Sequence, residues 1–268
     1  AAALLSVVCA WSIPVPTSAF AEDATPSLLA DRNGDLVVVG AAFGDSITQG
    51  EGDFIPVGAS VVSEPDNVSG QAGYPLRIEQ RLGIPVHNLG RGGETVAYAG
   101  VYRFAALVPA QGADIVFISG GTNDIIFSQD PAEFTRSMQA MINIARGANI
   151  TPVLITIPPM TPHRPESGQV EHYNRLLREL AAVNEIALAD VYHAYANTCD
   201  LADCYLLNLP SGVHPNTAGY DVYAETVIAA LLQIPLFAPD GPTQLETALG
   251  LAPGSVQTKA DPVPAPST

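Results

Sequence analysis

The chain has 268 residues, nearly half of them hydrophobic and only 14% charged, which is enough to bury the core of one ordinary domain. Its formal net charge is −16. Such a surface repels phosphate backbones and anionic lipid, so neither nucleic acid nor stable membrane insertion is expected.

Ala1 to Ala21 read as an export signal that starts partway through, since Met and a basic leader are missing. Ala2 to Trp11 form its apolar core, and Ala19-Phe20-Ala21 is a small-x-small cleavage site before Glu22. A membrane anchor is the weaker reading, because the run is short and Pro14 and Pro16 interrupt it. Cys9 as a lipid-anchored cysteine is disfavoured by Val8 before it. Residues 22–35 are expected to be a loose leader, residues 36–237 one folded domain, and residues 238–268 a disordered tail rich in Pro, Ala, Gly, Ser and Thr. Within that tail, 243–251 has the pattern of a short amphipathic helix.

Leu36 to Ala42 has the length and β-branched content of a buried strand. It runs into Phe43-Gly44-Asp45-Ser46-Ile47-Thr48-Gln49-Gly50. A serine just past a buried parallel strand sits at the sheet edge where open α/β folds bind ligands. Residues 51–73 form a long polar loop of the kind that is usually functional. A short helix is predicted over 74–83 and a strand over 84–88, leading into Leu89-Gly90-Arg91-Gly92-Gly93-Glu94-Thr95. A helix to about Val108 and an apolar strand over 114–119 follow, ending in Gly120-Gly121-Thr122-Asn123-Asp124.

Residues 131–147 carry Phe134, Met138, Met141, Ile142 and Ala145 at helical spacing, so the methionines are expected in the core. A strand over 152–157, a proline-rich loop over 158–168, a helix over 169–184 and a strand over 186–191 come next. The loop 195–213 holds Cys199 and Cys204, an even pair that reads as a disulfide in an exported protein. Pro215 opens the last helix, to about Gln233. Strands alternating with helices give a parallel sheet covered on both faces, here a five-stranded three-layer sandwich.

Ser46, Gly93, Asn123 and His214 each follow a strand in this reading, which gathers them on one edge of the sheet. With those positions in view, residues 36 to 233 resemble the GDSL, or SGNH, hydrolase family. The blocks are Gly44-Asp45-Ser46, Asn88 through Gly93-Glu94-Thr95, Gly121-Thr122-Asn123-Asp124, and His214-Pro215-Asn216 before a helix. The resemblance implies a flavodoxin-like α/β fold and ester hydrolysis through an acyl-enzyme. It makes Ser46 the nucleophile, His214 its base, and Ser46 N–H, Gly93 N–H and the Asn123 amide the oxyanion donors. A serine needs a base to take its proton, and the oxyanion needs preorganised donors, so the residue types suit the roles. Neither cofactor nor metal is expected, and the protein is expected to be a monomer.

The family's usual aspartate three residues before the histidine is Ser211 here. Either a Ser46–His214 dyad operates, with Ser211 or a carbonyl holding the ring, or a carboxylate arrives from elsewhere. Asp200 and Asp203 are the nearest candidates by sequence. Asp45 and Asp124 read as structural, and Glu94 as either pocket lining or a helix-start carboxylate. The expected substrate is a small-molecule or lipid ester, either a lysophospholipid or a short-chain acyl ester. A carbohydrate O-acetyl ester is the alternative substrate, and a non-catalytic binding protein the alternative class.

Overall fold

The computed structural model describes residues 28–53, 72–208 and 211–256. The expected signal segment, most of the loop 51–73 and the last twelve residues lie outside them. Five strands, β1 Gly40–Gly44, β2 Val86–Gly90, β3 Ile115–Ile118, β4 Thr151–Ile155 and β5 Ala187–Ala189, form one parallel sheet ordered β2-β1-β3-β4-β5.

The nine α-helices of the described residues are α1 Ser46–Gln49, α2 Gly73–Leu82, α3 Val101–Leu107, α4 Thr122–Ile126, α5 Pro131–Gly147, α6 Val170–Asn184, α7 Val191–Thr198, α8 Thr217–Leu231 and α9 Gly241–Leu249. Side chains alternate across each strand, so the sheet faces two separate cores. Ala42, Ile115, Phe117 and Val153 pack with Ile78 of α2 and Tyr220, Tyr223 and Val227 of α8. Ala41, Phe43, Val116 and Leu154 pack with Phe104 of α3, Met138 and Met141 of α5 and Leu177 of α6. The methionines are core residues. The result is the three-layer α/β sandwich expected from the alternation of strands and helices.

From β1 the chain crosses to β2 on one side, while β3 lies on the other. The carboxyl ends of β1 and β3 therefore flank the point where strand order reverses, which opens a crevice. Ser46 follows β1 and Asn123 follows β3.

Four expectations need correction. The first strand begins at Gly40 rather than residue 36, leaving Leu36 92% exposed. Asp31 gathers the amides of Gly34 and Leu36 into a turn, and Asp114 receives those of Arg32, Asn33 and Val39. Residues 28–35 are thus tied to the sheet's amino edge rather than loose. The fifth strand is only three residues long, because Asp190 caps α7 by accepting from the His193 amide at 3.1 Å. Residues 241–249, placed in a disordered tail, form α9, whose Leu245 is fully buried. That helix begins two residues earlier than the 243–251 pattern suggests, with Pro242 in its first turn.

Candidate active site

Asp45 starts the site. Its carboxylate accepts from the Ile47 amide at 2.9 Å and caps α1, so the chain turns sharply just after β1 and presents Ser46. Ser46 is the first residue of α1, and its amide has no acceptor within the helix. Its hydroxyl oxygen lies 2.9 Å from Nε2 of His214, across 168 residues of sequence.

His214 is delivered by a pinned loop. Its carbonyl accepts from the Asn208 amide at 2.8 Å, and its own amide donates to the Ser211 hydroxyl at 3.1 Å. Leu207 bridges Pro215 in antiparallel fashion, and Asn216 caps α8 through the Gly219 amide. Cys199 and Cys204 are joined in a disulfide at the start of this loop. Burial, with Arg164 nearby, holds the imidazole down to about 4, so the ring is a neutral base at pH 7.

Gly93 sits in the turn after β2 with φ +75, a left-handed conformation that favours glycine. A Cβ there would meet no atom of the other described residues within 4 Å, so the backbone conformation sets the residue type. Asn123, at the start of α4, is buried. Its Nδ2 donates to the Glu94 carbonyl at 3.0 Å and to Asp45 Oδ2 at 3.4 Å. Asp124 accepts from the Val96 and Ala97 amides, each at 2.8 Å, and so ties the segment after Gly93 to α4. Glu94 is buried against Arg103, whose guanidinium also donates to the Leu89 and Gly44 carbonyls. It therefore braces the site from behind.

The residues weighed as partners for the imidazole are elsewhere. Asp200 and Asp203 are exposed, and Asp200 caps its own turn through the Ala202 amide. The Ser211 hydroxyl accepts from the Val213 and His214 amides and donates to the Asn208 carbonyl. It holds the loop rather than the ring. His214 Nδ1 is buried, with no hydrogen-bond partner among the described residues. The carboxylate that does reach the ring is Glu51, with Oε2 3.3 Å from Nε2. Sequence reading passed over Glu51 because it opens a polar loop. The only signal was its place five residues after Ser46.

Chemically, the arrangement offers a hydroxyl nucleophile, a neutral base on it, and amides beside it. A model of the GDSL-like lipase/acylhydrolase family matches residues 42–222. The chain also resembles solved structures. A lipolytic protein of the G-D-S-L family from Desulfitobacterium hafniense is 23% identical with a TM-score of 0.57, over 72% of this chain and 99% of that one. The acetylxylan esterase Axe2 from Geobacillus stearothermophilus is 21% identical with a TM-score of 0.56, over 72% and 94%. A G-D-S-L family member from Veillonella parvula is 20% identical with a TM-score of 0.57, over 72% and 97%. These likenesses concern the fold. The comparison with curated proteins gave no match.

Proposed function

The chain belongs to the GDSL-like lipase/acylhydrolase family, and from that premise we propose that it is an exported serine esterase working through an acyl-enzyme on Ser46. The observation that carries this reading is the 2.9 Å contact between Ser46 Oγ and His214 Nε2. At that distance His214 takes the hydroxyl proton as Oγ attacks the ester carbonyl, then gives it to the leaving alcohol. The amides of Ser46 and Gly93 and the side chain of Asn123 receive the oxyanion. Water then repeats the sequence and frees the acid.

Ser46→Ala is expected to fold normally, lose nearly all hydrolysis of p-nitrophenyl acetate, and escape labelling by a fluorophosphonate. A mutant that kept most of its activity would remove the assignment, and a wild type without turnover would favour a binding protein.

The proposed substrates are lysophospholipids or short-chain acyl esters. The likeness to an acetylxylan esterase makes acetylated xylan the second substrate to test. Activity across acyl chain lengths, measured beside acetylated xylan, separates them. Export is supported by the Cys199–Cys204 disulfide and the apolar run before Glu22. Among the described residues no helix is long and apolar enough to cross a membrane. Secreted material should begin at Glu22 on N-terminal sequencing, and a start upstream of Trp11 would count against cleavage there.

A further inference from the structure

We propose that Glu51 supplies the carboxylate missing from position 211, acting on His214 through Nε2 rather than Nδ1. The inference rests on the reading of Ser46 and His214 as nucleophile and base. Nε2 lies 2.9 Å from Ser46 Oγ and 3.3 Å from Glu51 Oε2, so one nitrogen faces both the nucleophile and an acid. The Glu51 side chain is 6% exposed. Its other oxygen faces the turn before Gly93, where a Cβ on Gly92 would come within 3.2 Å of Oε1. Glu51 thus stands between the base and the expected oxyanion site.

The backbone holds it there. Its amide donates to the Ser46 carbonyl at 3.0 Å, and its carbonyl accepts from Tyr220 Oη at 2.8 Å. Gly52, at φ +94, lies flat against the His214–Pro215 backbone, where a Cβ would strike the Pro215 carbonyl. Asp53 is anchored by Arg77 at 2.7 Å and by the Gly73 amide. The backbone at Glu51 is therefore fixed on both sides along the chain, with the His214–Pro215 backbone packed against Gly52.

Its part in the reaction is electrostatic. As Oγ bonds to the ester carbon, its proton passes to Nε2, and the imidazolium N–H lies between Oγ and Oε2. The ionised carboxylate stabilises that cation. When the ester C–O bond breaks, the proton leaves Nε2 for the departing oxygen. Glu51 takes no proton in either step. Other charged groups among the described residues act on the same region, Arg91 beside Glu94 included. Arg164 opposes the imidazolium, Arg103 neutralises Glu94, and Asp45 shares the field of Glu51, Glu94 and Asp124.

The test is an NMR titration of His214, assigned by the signal lost in His214→Gln, together with kcat and KM across pH. Burial and Arg164 hold the wild-type ring down to about 4, and a nearby carboxylate raises an imidazole pKa, so taking the Glu51 charge away should lower it further. Glu51→Gln should lower that titration and move the acid limb of kcat/KM to lower pH. It should also reduce kcat by about 10²-fold with KM within about threefold. Ser211→Asp in the Glu51→Gln background should raise both pH readouts again. Glu51→Ala read the same way guards against a Gln variant that does not fold, and an acid limb of kcat/KM that stays at the wild-type pH in either variant overturns the proposal. So does a Glu51→Gln titration that does not move. The titration needs no turnover, so an active Ser46→Ala protein would defeat the esterase reading alone, and an unmoved titration would defeat the Glu51 assignment alone.

Discussion

Ser211 meets His214 through the main chain, its hydroxyl accepting the His214 amide at 3.1 Å, while the imidazole Nδ1 has no partner among the described residues. The residue that replaces the family's aspartate has therefore kept a loop-holding task and left the ring-holding one. Ser211→Asp is expected to keep or raise kcat, because a carboxylate three residues before the histidine can turn to Nδ1. Asp200→Asn and Asp203→Asn should each lose less than about tenfold, or about 1.4 kcal/mol, since both carboxylates are exposed. A folded aspartate variant that lost several orders of magnitude in steady-state kinetics would show that its carboxylate reaches the site.

Asn123 is expected to be worth about 10²–10³ in kcat as an oxyanion donor. In the resting site its amide nitrogen is shared between the Glu94 carbonyl at 3.0 Å and Asp45 at 3.4 Å. The longer contact is the weaker, so that hydrogen is the one free to turn toward substrate. Asn123→Ala should lower kcat by that factor with KM little changed. Its melting temperature shows separately how much the Glu94 bond contributes to stability.

What the sequence revealed and hid follows from how local each signal is. Gly44-Asp45-Ser46, Gly93, Asn123 and His214 could be placed together because each follows a run whose period betrays a strand or helix. The 17 residues of α5 were legible to their ends, since Asp130, Pro131 and a stripe led by Phe134 all agree. Glu51 was hidden, because a carboxylate between two glycines reads as loop until folding sets it against a histidine 163 positions away. Asp114 was hidden likewise. It looked like the start of a strand, yet its carboxylate organises the amides of Arg32, Asn33 and Val39. Composition misled at α9, where one fully buried side chain, Leu245, outweighs a proline- and glycine-rich neighbourhood.

The Cys199–Cys204 bridge closes a very short loop, so its entropic contribution is about 2 kcal/mol at most. The strap beyond it carries Leu207 to Pro215 and Asn208 to the His214 carbonyl. The Cys199→Ser, Cys204→Ser double variant should unfold at lower denaturant, by no more than that amount. It should lose less than about tenfold in kcat, because the hydrogen bonds at Asn208 and Ser211 still hold the histidine. Denaturation curves and kcat on one preparation test both. A variant that unfolds with wild-type stability would mean the bridge is absent or idle.

Asp45 gives the fold a pH dependence that can be isolated. Burial pushes its carboxyl up to about 7, aided by the charges of Asp124, Glu94 and Glu51 and opposed by the Ile47 amide. In the unfolded chain the same group titrates near 3.8. Between those values the folded protein keeps a proton that the unfolded chain releases. The stability associated with neutral Asp45 is therefore complete below about pH 4 and is lost as pH rises through about 7. Three units at about 1.36 kcal/mol each put the loss at about 4 kcal/mol. Asp45→Asn retains an oxygen for the Ile47 amide and cannot ionise. It gives up the acceptor facing Asn123, but that cost is the same at every pH. Urea denaturation from pH 4 to pH 8 should therefore show the mutant gaining on the wild type as pH rises, by a few kcal/mol across the window. Two stability curves that run parallel over that range would mean Asp45 keeps one charge state throughout.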